Sequence, residues 1–266
     1  MNRHNHLRVS MPNRRTLPNP PLAVVFVHGF LGFERIRLAR KEIRYFRGVW
    51  RRLAAAGVPL YFPALPPVGR IAVRARKLAS CLDRVRAERI GLISHSMGGL
   101  DSRYLIQRLD PGRRVRFLAT VATPHRGTPL AQWLMESKGI IPWASRQLIL
   151  PGLAELTPRR CRRFNRVVPD RPDVTYHAYA GRRGTAELPP WLRPWSRLIA
   201  RQESDNDSMV SVRSARWGEF KGCLRADHLE LVGWNLYPPV RRFDRPFDHF
   251  SLYRRILQDA ADAALS

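Results

Sequence analysis

Ile90-Gly-Leu-Ile-Ser-His-Ser-Met-Gly-Gly-Leu100 decides how this chain folds. Its first four residues form a short apolar run that reads as a strand buried on both faces. The segment from Met97 to Arg108 reads as a helix. Between them, Ser94-His95-Ser96-Met97-Gly98 places one serine between small residues two positions before and two after it. A strained strand-to-helix turn needs small neighbours at those positions, because the serine hydroxyl must stand clear of the backbone. Ser96 is therefore the candidate nucleophile, and Gly99 lets the helix approach the sheet closely. Ser94 departs from the G-x-S-x-G pattern, which has Gly there. A small-x-Ser-x-Gly match arises by chance in roughly one chain in three of this length, given Gly at about 7% usage. The flanking strand and helix carry the assignment, against the competing reading of a serine that merely caps a helix.

Working outward, strands and helices alternate. Leu22–Val27 is a buried strand. Glu42–Ala56 carries Ile43, Phe46, Val49, Trp50 and Leu53 at helical spacing and stops at Gly57. Val58–Phe62 reads as a strand, and Val73, Leu78, Leu82 and Val85 as a helical stripe. Val115–Val121 and Val174–Ala180 are further strands, and Phe247–Ala264 is a closing helix with Leu252, Ile256 and Ala260 on one side. This alternation predicts an α/β fold with a mostly parallel sheet covered by helices on both faces. Between Pro129 and Pro172 it fails. That apolar stretch, broken by Pro142 and Pro151, reads as short helices over one end of the sheet, and Leu188–Trp195 as a stiff loop beside them. The expected organisation is a polar leader over 1–20 and one domain over 21–266, with a cap insertion at about 129–200.

The 266 residues are 44% hydrophobic, enough to build a core, and no run approaches the roughly 18 apolar residues that span a bilayer. The net charge of +26 is of the size that nucleic-acid binders carry, yet only four of the 47 basic residues are Lys and they spread from Arg3 to Arg255. A solvated cationic surface is expected, with peripheral contact to anionic membrane and no specific nucleic acid. Cys81, Cys161 and Cys223 form no CxxC pair, so neither a zinc site nor a disulfide scaffold is indicated. The leader lacks the apolar core of a secretory signal, so the expected location is the cytoplasm.

A serine that attacks an acyl carbon needs N–H donors for the oxyanion that develops. The Met97 N–H is one candidate. The other is the Phe30 N–H, in the His28-Gly-Phe-Leu-Gly-Phe33 loop after the first strand, where His28 is expected to orient the loop. Acid and base should follow in the order Ser, acid, His, on loops at the same end of the sheet. Asp205 and Asp207 compete for the acid, and His228 and His249 for the base.

These motifs are colinear with a known pattern. The HGFLGF loop, SHSMGGLDSRY, ATPHRGTPLA, NDSMV and DHLELVGW followed by SLYRRI resemble bacterial and fungal triacylglycerol lipases of the α/β-hydrolase superfamily, from about Pro21 to Gln258. The resemblance implies Ser96 as nucleophile, Asp207 as acid and His228 as base. It implies that His249 caps the final helix, that Asp227 faces solvent, and that Trp133 to Leu150 forms a mobile lid, plain cap packing being an equal physical reading of that apolar stretch. It implies hydrolysis of lipid-like acyl esters through an acyl-enzyme, with no organic cofactor. A thioesterase or amidase of the same fold is the alternative, and a binding protein is less favoured because all three residues are present. His125 and Arg126 read as a packed loop. The secreted bacterial lipases also suggest a calcium site near the base. Here Glu230 stands two after His228 in place of Asp, and no second aspartate can be identified, so no metal is predicted.

Overall fold

The computed structural model describes residues 20–38, 41–54, 57–137, 143–237 and 247–265. Most of the leader lies outside them, as do Ile140, Ile141 and Pro142 of the cap. Six strands form one sheet: β1 (Leu22–Val27), β4 (Leu60–Tyr61), β5 (Arg89–His95), β6 (Val115–Val121), β7 (Thr175–Gly181) and β8 (Glu219–Leu224). They run in the order β4-β1-β5-β6-β7-β8, and each neighbouring pair is parallel. All six residues of β1 are buried, which a strand covered on both faces requires. Val24 and Phe26 join α9 (His249–Leu265) on one face, while Ala23, Val25 and Val27 join α2 (Ile71–Leu82) and α3 (Met97–Arg108) on the other.

Several expectations are corrected. The helix expected from Glu42 begins instead as strand β3 (Lys41–Arg44), paired antiparallel with β2 (Arg35–Leu38), and only Val49–Arg52 (α1) is helical. Gly48, at φ 72, breaks the run, and its missing side chain admits the Phe250 ring. Val73 is not part of the buried stripe of α2, which is made by Ile71, Ala75, Leu78 and Leu82. The stiff loop ends early, because Arg193–Glu203 forms α7 with Pro194 in its first turn, where a missing N–H costs nothing. The cap helices α4 (Pro129–Glu136), α5 (Trp143–Glu155) and α6 (Pro158–Val167) precede β7, and α7 follows it. The span 129–200 is thus divided by a strand of the central sheet. α4 to α6 pack on Met97, Leu100 and Phe30, beside the elbow.

Arg74, Arg103 and Arg171 are buried, and with the half-buried Arg114 they act inside the fold. Arg171 donates to the Ile106 and Val115 carbonyls at 3.1 and 2.9 Å and pairs with Asp110 and Asp173. Arg114 donates to the Leu82 and Ala87 carbonyls, and Arg103 to that of Val168. The guanidinium presents several donors in a planar fork, so one side chain satisfies chain ends from different elements.

Candidate active site

Strand order reverses direction at β1, whose neighbours are β4 and β5. The chain therefore leaves β1 and β5 in opposite directions at the carboxyl end of the sheet, the place where open α/β sheets carry their sites. Ser96 stands there between β5 and α3 with φ 55 and ψ −132, a backbone that is strained for any residue except Gly. Its side chain makes no capping hydrogen bond, which excludes the simple cap reading. Its N–H donates to the Val121 carbonyl and its carbonyl accepts from the Thr123 hydroxyl, so the end of β6 holds the strain. A Cβ on Gly98 would stand 2.7 Å from the Val27 carbonyl, and one on Gly99 would collide with Thr123. Ser94 is accommodated because its hydroxyl meets that of Ser102 on α3 at 2.8 Å.

The loop after β1 presses on Ser96, since a Cβ on Gly29 would come within 2.7 Å of the Ser96 Cβ. His28 shapes that loop. Its Nε2 accepts from the Leu65 N–H, so its proton lies on Nδ1, which donates to the Gly29 carbonyl at 3.0 Å. Burial, then Arg74, pushes its pKa down to about 3, so it stays neutral. Arg74 donates to the His28 and Gly29 carbonyls and pairs with Asp101 on α3 at 2.7 Å, both side chains fully buried. Among the described residues, neither the Phe30 nor the Met97 N–H has a hydrogen-bond acceptor. Sequence reasoning missed Arg74, Asp101 and Tyr45, because their signal lies only in tertiary contacts.

Asp207 and His228 come together. His228 Nδ1 donates to Asp207 Oδ2 at 2.8 Å, while Asp207 Oδ1 accepts from the Met209 and Val210 N–H groups at 2.9 and 2.7 Å. This leaves the lone pair on His228 Nε2, as a general base requires. Asp205 is exposed and meets Arg182. His249 donates from Nε2 to the Arg47 carbonyl at 2.8 Å, away from this pair. The capping residue of α9 is Asp248, whose Oδ1 accepts from the Phe250 and Ser251 N–H groups, so the expected cap by His249 is corrected by one position. His125 is packed between Arg103 and Thr120, and Arg126 binds the Arg213 and Arg216 carbonyls.

Asp227 does not face solvent. It is buried, its Oδ1 accepts from the Leu229 and Glu230 N–H groups, and its Oδ2 accepts from the Tyr237 hydroxyl at 2.7 Å. Glu230 takes a bidentate pair from Arg183, with both contacts at 2.9 Å, and the Asp227 N–H as well. Calcium needs six to eight oxygen ligands. Here every carboxylate oxygen of the base loop already faces a donor, and a guanidinium holds the place of a cation. Among the described residues no cluster of three or more His, Cys, Asp or Glu could hold a metal. These residues do not fit calcium.

A fully parallel sheet with a strained serine elbow at its carboxyl end, followed in chain order by an acid and a histidine, defines the architecture. The chain has the α/β-hydrolase fold. Among solved structures, the chain is similar to the Staphylococcus hyicus lipase, with TM-score 0.71, 16% identity and coverage of 96% of this chain and 100% of that one. It is similar also to a metagenomic carboxyl esterase, with TM-score 0.72, 19% identity and coverage of 95% and 79%. By sequence it is 32% identical over 210 residues to triacylglycerol lipase 2 of Saccharomyces cerevisiae, spanning 73% of this chain and 63% of the relative. It is 28% identical over 120 residues to a triacylglycerol lipase of Pseudomonas fragi, spanning 44% and 39%. The chain therefore spans less than two thirds of the length of these relatives. No family profile matches it.

Proposed function

We propose that the protein is a serine carboxylic ester hydrolase acting on lipid-like acyl esters. The observation that carries this reading is the His228–Asp207 hydrogen bond beside the strained Ser96 elbow. Ser96 Oγ attacks the ester carbonyl carbon as His228 Nε2 takes its proton. The oxyanion accepts hydrogen bonds from the Phe30 and Met97 N–H groups. Collapse breaks the bond to the alcohol, which leaves with the proton held by His228. Water, deprotonated by His228, then attacks the acyl-enzyme, and Ser96 regains its proton as the acid departs. Asp207 holds the tautomer and stabilises the imidazolium. No metal enters any step.

Lipid-like substrates suit the apolar surroundings. The cap places Leu153, Leu156, Ile149 and Leu150 against Phe30 and Met97. Leu31, Leu148, Trp133 and Trp191 are exposed, and Arg197 and Arg201 line a groove of about 290 Å³ with Trp133 and Trp195. Aromatic and basic groups side by side suit contact with an anionic lipid surface. Among the described residues no helix is long and apolar enough to cross a membrane.

The test is hydrolysis of p-nitrophenyl esters from short to long chains by the parent and Ser96→Ala. Turnover in the parent, lowered by several orders of magnitude in Ser96→Ala, is expected. Equal turnover in both would sink the reading. A folded parent inert to every ester but active on acyl thioesters or amides would move it to those bonds.

A further inference from the structure

His95 ends β5 one residue before the nucleophile, and it is fully buried. Its Nδ1 meets the Tyr45 hydroxyl at 2.7 Å, and the same hydroxyl accepts from the Gly29 N–H at 3.4 Å. Tyr45 has one hydrogen. Among the described residues no acceptor other than His95 Nδ1 meets the Tyr45 hydroxyl, so that hydrogen goes to His95 Nδ1, and the imidazole proton lies on Nε2. Burial, with His228 adding to it, pushes the His95 pKa well down, so a second proton is refused. The Nε2 atom is buried, and the ring reaches the His228 backbone and lies 4.5 Å from the His228 ring at an angle of 50°.

Tyr45 is itself fastened to the far side of the base loop. The Trp234 indole N–H donates to the Tyr45 carbonyl at 2.9 Å, and the Phe33 ring packs edge-on against both aromatic rings. Three parts of the candidate site thus meet at one buried pair: Gly29 beside the oxyanion donor, His95 beside Ser96, and the His228 ring. None of these contacts involves the reacting atoms.

We propose that Tyr45 and His95 are positioning residues that lock the oxyanion loop, the elbow and the His228 ring in one arrangement. Tyr45 fixes the height of the Gly29–Phe30 peptide, and the neutral His95 ring forms the wall against which His228 stands. An arrangement misplaced by about 1 Å can cost on the order of 10²-fold in turnover, because attack geometry and oxyanion donation fail together.

This inference rests on Ser96 being the nucleophile, and the two fail differently. The experiment measures kcat, KM and Tm on a short-chain p-nitrophenyl ester for Tyr45→Phe, His95→Gln, His95→Leu and both His95 variants combined with Tyr45→Phe. Gln keeps an amide oxygen that can accept from Tyr45, whereas Leu keeps only bulk. The expected result is a kcat lowered about tenfold or more in Tyr45→Phe and in His95→Leu, with KM within about twofold. His95→Gln recovers most of the loss while Tyr45 is present, and its advantage over Leu vanishes in the Tyr45→Phe background. Values of kcat within twofold of the parent, or losses that simply follow the unfolded fraction, would overturn the proposal. If His95→Leu does not fold, Tyr45→Phe and His95→Gln carry the same test. Turnover that survives in Ser96→Ala would remove the nucleophile reading and overturn this proposal with it, whatever the kcat pattern of the other variants.

Discussion

Two histidines near the carboxyl end of the chain differ in what their ring nitrogens face. His228 gives Nδ1–H to a carboxylate and keeps its other nitrogen open, whereas His249 gives Nε2–H to the Arg47 carbonyl and cannot serve as base in that pose. His228→Ala should lower ester turnover by several orders of magnitude, and His249→Ala should keep most of it while lowering Tm; the opposite order in a turnover assay would exchange their roles. Asp227 gives a second test. Burial first, then the neighbouring Glu230, pushes its pKa up from the ordinary 3.8 to about 6. The folded state therefore holds that proton more tightly than the unfolded chain. Its contribution to stability is full below about pH 4 and diminishes as pH rises toward about 6. Asp227→Asn keeps the oxygen for the Leu229 and Glu230 N–H groups and cannot titrate. Thermal unfolding from pH 4 to 7 should show a shallower fall in Tm with rising pH for the variant, and parallel curves would refute this account. The strained turn at Ser96 could be read from the sequence because its neighbours must be small, and the meeting of Asp207 with His228 because the motifs stood in order. Asp227 was misjudged because nothing in DHLE shows that Tyr237, ten residues on, closes over it.

At the scale of elements, the base loop is held by an ion pair from a different strand end. Arg183 follows β7, Glu230 opens a single turn of 3₁₀ helix after His228, and their fork geometry leaves no room for a divalent ion. A chelator such as EDTA should change neither turnover nor Tm, and added calcium should not raise Tm. Arg183→Gln should lower both turnover and Tm, because it strands a buried carboxylate. A rise in Tm with calcium in the parent would contradict this. The long elements were legible wherever burial on both faces wrote an apolar run, as in β1, β5 and β6. The β2–β3 hairpin was not, since Ile43, Phe46 and Val49 fit a helical stripe until the left-handed Gly48 is known. β8 was missed for another reason: as an edge strand it alternates exposed and half-buried residues, and Gly222 interrupts it.

For the whole molecule, the parallel sheet brings every contributor to one end. The order β4-β1-β5-β6-β7-β8 places the loops after β1, β5, β7 and β8 side by side, although Phe30 and His228 lie far apart in the chain. This is why the chain order of the motifs foretold which loops meet, while the contacts of Tyr45 and Arg74 were illegible. The internal arginines hold this arrangement together. Arg171→Lys should destabilise by about 1–3 kcal/mol, since an ammonium cannot span the contacts that one guanidinium makes to three carbonyls and two carboxylates. Tm should fall by roughly 2–4 °C for each kcal/mol lost, and an unchanged melt would refute the role. These side chains also change the meaning of the net charge of +26. A guanidinium committed to carbonyl oxygens inside the fold cannot reach a phosphate, so the salt dependence of retention on a polyanion counts only the outward-facing cations. Composition sets how cationic the chain is; the fold withdraws Arg74, Arg103 and Arg171 from what an approaching nucleic acid can use.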